Sequence, residues 1–185
     1  MLDNSVPART RKARHTATYR RFAFAATAAV SLLAAAIWLS SQLHPSPALH
    51  SGALFVHLSS LILGFGAVLV GDYFFALWAL RRATFAEAIS NASRLHLLVW
   101  SGLVGLVLSG TLLEPDLRAG ATVLKLAFVA VLTVNGLQAT MLSKRMASTG
   151  GTPPIQLLAW GAATTAISQI CWWGAVVIGF LNAAR

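Results

Sequence analysis

The sequence predicts an all-α fold: an integral membrane helical bundle of five transmembrane helices, N-terminus in and C-terminus out. Three observations predict it. Hydrophobic residues make up 57% of the 185 positions and charged residues only 10%, against about 25% charged in a soluble domain. The apolar residues fall into five blocks, each near the roughly 20 residues that a helix needs to cross a bilayer. The net charge of +9 is gathered in the N-terminal segment and in alternate loops, which is a topology signal.

Residues 1–21 are polar and basic and read as a cytoplasmic tail, disordered or lying along the membrane surface. Residues 22–185 read as a single transmembrane domain. Its first span covers about 22–43; the run is too long for a signal-peptide core and lacks a small-residue cleavage site, so it reads as an uncleaved anchor. Pro45 and Pro47 are expected to end that helix and open a loop over 44–52. His44 and His50 in that loop read as exposed histidines, with metal capture together with His57 as the sharper alternative. The second span covers about 53–80, followed by a short charged loop, RRATFAEAISNAS. The third, fourth and fifth spans are expected at about 94–113, 121–142 and 155–181, separated by an acidic turn and by a Gly/Pro-punctuated loop. Spans two to five are expected to form the core, with the first packed on its outside.

Orientation follows from the placement of Lys and Arg. Arg9, Arg11, Lys12, Arg14, Arg20 and Arg21, then Arg81, Arg82 and Arg94, then Lys144 and Arg145, all fall on one side. Only Arg118, Lys125 and Arg185 fall on the other. The crowded side is the cytoplasmic one, and its tail is suited to anionic head groups. The bilayer is thus the expected partner, with a membrane protein or a second copy also open. The charge brings no nucleic-acid recognition motif with it, which argues against that partner.

The groups that bear chemistry are few. Phosphate-cradling glycine loops, nucleophile elbows and HExxH are absent from the sequence, so nucleotide or hydrolytic chemistry is not indicated and enzymatic activity is left open. The lone Cys171 reads as a small buried hydrophobe. On a helix turning about 100° per residue, His57, Gly64 and Gly71 share one face with Ser60 beside them, a small-residue stripe suited to close helix packing. Asp72 lies about 13 Å along the helix from Arg81. A charge at mid-helix costs about 2.5–3.5 kcal/mol on insertion scales, so Asp72 must face the bundle, be protonated or find a partner. Asn135 is at similar depth on the fourth span and Gln138 one turn nearer its end, which predicts a hydrogen-bonded cluster of Asp72 with Asn135 and Gln138. That cluster serves either as structural glue or as part of a proton or ion path.

His57 and Lys125 are expected at the outer level, near Glu114 and Asp116. His96, with Trp100 one turn on, belongs at the inner boundary. The two histidines are therefore too far apart to share one haem iron, but a single proximal His suffices for haem. Thr164, Thr165, Ser168 and Gln169 mark the middle of the fifth span, and Trp172 and Trp173 read as either an aromatic belt or a pocket wall.

The run from His57 through Gly64 and Gly71 to Asp72, the following Gly105 and Ser109-Gly110, and Lys125 opening the next span resemble small bacterial inner-membrane proteins of unknown function. These are loosely similar to copper-resistance protein D and to cytochrome b561-like four-helix membrane bundles. The resemblance covers roughly residues 50–182. It implies multi-pass insertion in the bacterial inner (plasma) membrane and a four-helix bundle in which His57 is a haem or copper ligand. Two departures stand out: paired histidines on facing spans are absent, and Met-rich segments suited to copper(I) are absent from the outer side. The leading expectation is a redox protein with haem b near His57, Lys125 neutralising a propionate and His96 as a further cofactor-binding candidate. The alternative is a non-enzymatic ion, proton or metal transporter, or a membrane scaffold.

Overall fold

The computed structural model describes residues 8–183. Five helices carry the chain through them: α1 (Ala8–Ser40), α2 (Pro47–Ala79), α3 (Phe85–Gly110), α4 (Gly120–Ala147) and α5 (Ile155–Ala183). All five are long and apolar enough to cross a membrane, and strands are absent among the described residues. Helix α1 starts at Ala8 and runs unbroken through the basic segment, so most of the expected tail is helix; residues 1–7 lie outside the described residues.

Two helix starts lie upstream of the expected ones, for reasons of capping chemistry. Pro47 opens α2 instead of closing a loop. It sits at the first helical position, where its missing N–H is no loss, and Ser46 caps the end by accepting from the Leu49 amide. His50 is therefore on the first turns of α2, half-buried, and the loop shrinks to 41–46. Helix α3 begins at Phe85 within the segment expected as charged loop. Thr84 and Glu87 cap each other's backbone in a reciprocal capping box. Helix α2 ends with Arg81 in the left-handed region, φ 59°. The Arg82 amide bonds the Leu77 carbonyl and the Arg81 amide that of Trp78, closing the last turn.

Helices α2 and α3 form one closely packed antiparallel pair, α4 and α5 the other; α1 lies against α4 and, less extensively, against α3. The α2–α3 seam is built on the small-residue stripe. His57 meets Ser109 and Gly110, Ser60 meets Gly105, Gly64 meets Gly102, and Gly71 meets Leu95. A Cβ on Gly102 would collide with the Gly64 backbone, so the two chains cross there at near contact distance.

Two apolar clusters join the pairs. One holds Phe65, Leu106, Leu132, Cys171 and Trp172. The other holds Phe85, Ile89, Leu142 and Met146, with Phe75 and Trp78 packed against it. Cys171 is thus the buried hydrophobe expected of it. The outward faces are also apolar: Phe24, Ile62, Leu97, Ile155 and Phe180 are all strongly exposed. Surfaces of this kind and extent mark contact with a partner or a membrane.

Candidate functional site

A cavity of about 180 Å³ opens between the two apolar clusters, walled by α2, α3, α4 and α5. Its wall is mostly carbon, from residues such as Val68, Phe75, Leu95, Val99, Leu132 and Trp172. The polar groups on it are few: Asp72 from α2, His96 from α3, Asn135 and Ser143 from α4, and Thr164, Thr165 and Ser168 from α5. Among the described residues that line it, Asp72 and His96 are the ionisable ones, and neither Lys nor Arg is among them.

Asp72 is half-buried, and Gln169 Nε2 donates to its Oδ2. No other hydrogen bond reaches the carboxylate among the described residues. Asn135 and Gln138 bond elsewhere, and this corrects the expected three-residue cluster. Asn135 Nδ2 donates to the Thr164 carbonyl at 2.9 Å, and Gln138 Nε2 donates to Thr164 Oγ1 at 3.4 Å. The reason is topological. Equal depth along two spans does not make them neighbours: α2 packs on α3, and α4 packs on α5. Asp72 therefore finds its amide on α5, and Asn135 ties α4 to α5. Asp72 and Asn135 still share the cavity.

Two indole rings are held against the cavity by glycines. A Cβ on Gly136 would lie 3.3 Å from Trp100 Cζ2, and one on Gly64 would lie 3.2 Å from Trp172 Cη2. Trp172 is also stacked on Phe65, with ring centroids 5.5 Å apart. Of the Trp pair, Trp172 is the pocket wall and Trp173 faces outward, edge-on to Phe65. His96 is oriented as well. Its Nδ1 lies 3.2 Å from the Ser93 carbonyl, which can only accept, so Nδ1 carries the hydrogen and Nε2 is left with its lone pair in the neutral ring.

His57 stands apart from the cavity, toward the other end of the helices. Ser109 Oγ donates to the Gly105 carbonyl at 2.6 Å and lies 3.0 Å from His57 Nδ1. With its hydrogen committed, the hydroxyl accepts from Nδ1–H, and this network assigns the free lone pair to Nε2. Lys125 is close enough for its charge to act on the ring. Ser109 and His96 are separated by about 20 Å along α3 at 1.5 Å per residue, so the two histidines serve different levels. No group of three or more His, Cys, Asp or Glu with metal-holding geometry occurs among the described residues, His44, His50 and His57 included.

The chain matches no known protein family, no curated protein and no solved structure. The site is therefore read from its own chemistry.

Haem is the cofactor that the histidines and the resemblance bring forward, and its fit differs between the two levels. The cavity does not fit a porphyrin. It falls below the roughly 300–1,000 Å³ of sites for drug-sized ligands. At His57 the donor set fits one axial ligand, Nε2, with Lys125 as a cation nearby.

Sequence reasoning singled out Gln169, Trp100 and Ser109 but did not pair them with Asp72, the cavity and His57. Their signal is a facing relation between helices, which no single helix carries.

Proposed function

We propose that this chain is a multi-pass protein of the bacterial inner membrane, N-in and C-out. In this reading α2 to α5 form a four-helix bundle that binds and passes a small solute or proton through the cavity at Asp72. The observation that carries it is the uncompensated carboxylate: Asp72 lines an apolar cavity, with an amide as its hydrogen-bond partner and no cation beside it among the described residues. Ionisable residues inside a membrane bundle are costly and mark pathways for protons, ions or substrates. Gln169 bonds the carboxylate, and Asn135 and Gln138 tie α4 to α5. This is a non-enzymatic role; the bilayer is the solvent of the apolar outer faces.

The test is flux. Purified protein is reconstituted into vesicles loaded with a pH-sensitive dye, and a pH gradient is imposed under a clamped membrane potential. Wild type is expected to dissipate the gradient faster than protein-free vesicles, and Asp72→Asn, which keeps an oxygen for Gln169, to lose that activity. Equal rates in wild type and Asp72→Asn would overturn the proton path and leave the polar groups as helix glue.

A second reading is favoured by one observation of its own, the free Nε2 of His57 with Lys125 nearby. Here His57 would be the single protein ligand of a haem b, and Lys125 would neutralise a propionate. Bound haem would supply one-electron chemistry. Serine-held Nδ1–H is the outer-sphere arrangement that orients a ligating imidazole. An absorption spectrum of protein expressed with ample haem, oxidised and then reduced with dithionite, decides it. A Soret band lost in His57→Ala supports haem at this level, and a flat visible spectrum removes it.

A further inference from the structure

The cavity has three properties that together select a ligand class. It is small, its wall is mostly carbon, and it contains one carboxylate without a cationic partner among the described residues. Its volume of about 180 Å³ is slightly larger than the apolar cavity of roughly 150 Å³ that admits benzene. A calcium or magnesium ion needs about six oxygen ligands and zinc about four ligands, and no group of three or more His, Cys, Asp or Glu that could hold a metal occurs among the described residues. Beside a neutral apolar molecule Asp72 would have to take up a proton, whereas a cation pairs with its charged form. Trp100, Trp172 and Phe75 also line the space, and aromatic rings, indole above all, attract a desolvated organic cation.

We infer that the cavity takes a small monovalent organic cation, an ammonium group on an apolar body about the size of one aromatic ring, paired with Asp72. This rests on the reading of the cavity as the working site and names its ligand. Gln169 occupies Oδ2 and sets the carboxylate, leaving Oδ1 for the cation. The aromatic and aliphatic wall takes the apolar body. His96 is the other ionisable group on the wall. A permanently charged probe and one fixed pH for both probes keep it out of the comparison.

The experiment uses the full-length protein in detergent and two probes of the same shape. Phenyltrimethylammonium carries the charge; tert-butylbenzene replaces its nitrogen by carbon. Binding is read by calorimetry and by the change in Trp emission. The expected result is that wild type binds the cation at least tenfold tighter than the neutral isostere, and that Asp72→Asn removes this preference. Ala139→Leu, which fills the wall while keeping Asp72, is expected to weaken both probes. Equal binding of the two probes, an unchanged preference in Asp72→Asn, or no binding of the cation to folded wild type overturns the inference. Parallel flux measurements separate the two readings. Asp72-dependent proton flux without cation binding leaves the site reading intact and removes the cation. Cation binding without flux keeps the ligand class and removes transport.

Discussion

Substituting Gly102 by alanine is the sharpest probe of the packing that positions both levels of the bundle. The nearest atoms to a Cβ there are all backbone of α2: the Gly64 N and Cα, and the Ser60 carbonyl at 2.7 Å. No side chain can rotate to make room, so α2 and α3 must move apart. Carbon contacts settle at about 3.5–4.0 Å, and opening such contacts by 0.5–1 Å forfeits about a quarter to a half of their attraction. Overpacking of this kind costs about 1–3 kcal/mol, and a clash between two backbones belongs at the upper end. For a chain of this length about 3 kcal/mol corresponds to a fall in Tm of roughly 6–12 °C. Thermal unfolding in detergent, followed by the emission of the six tryptophans, measures it. Gly66→Ala is the control. It lies on the same helix with nothing within 4 Å of its Cβ position, and is expected to hold or gain up to about 1 kcal/mol from helix propensity. Equal melting of Gly102→Ala, Gly66→Ala and wild type would refute the close crossing of α2 and α3.

Further expectations follow from the caps and the polar groups. Thr84→Ala breaks the capping box of α3 and should cost about 1 kcal/mol, a fall in Tm of roughly 2–4 °C, with Glu87→Ala giving part of the same loss. Asn135→Ala removes the α4–α5 bond to the Thr164 carbonyl and should destabilise by about 0.6–1.7 kcal/mol, read by the same melt. Ser40 Oγ is buried without a hydrogen-bond partner among the described residues, so Ser40→Ala should be neutral or stabilising; a marked loss of stability would mean that the hydroxyl has a partner. Ser109→Ala releases Nδ1 of His57, and if haem is bound it should shift the reduced α band while His57→Ala abolishes it.

The helical class and the five apolar segments were legible because helices long and apolar enough to cross a membrane write themselves as long apolar blocks. The face carried by His57, Gly64 and Gly71 was legible as a packing stripe because 3.6-residue periodicity is a property of one helix. The helix starts at Pro47 and Phe85 are also written in the chain, as Ser-Pro and as Thr84-x-x-Glu87, but proline and charge are loop signals as well as cap signals. Asp72 stood out by its cost in an apolar span. Its partner did not, since Gln169 and Asn135 are both amides on later spans and only the order of packing decides between them. The cavity has no sequence signature at all: its residues come from four helices, and its volume is set by how Trp100 and Trp172 rest on Gly136 and Gly64.

The central claim is that the Asp72 carboxylate faces the contents of an apolar cavity and that what enters there acts on it. Labelling with an apolar carbodiimide, followed by peptide mass mapping, addresses it directly. The account predicts modification at Asp72 in the intact, membrane-reconstituted protein, suppression of that label by Ala139→Leu, and loss of flux in step with labelling. Modification confined to Glu87, Glu114 and Asp116, with Asp72 untouched in folded protein, would contradict it.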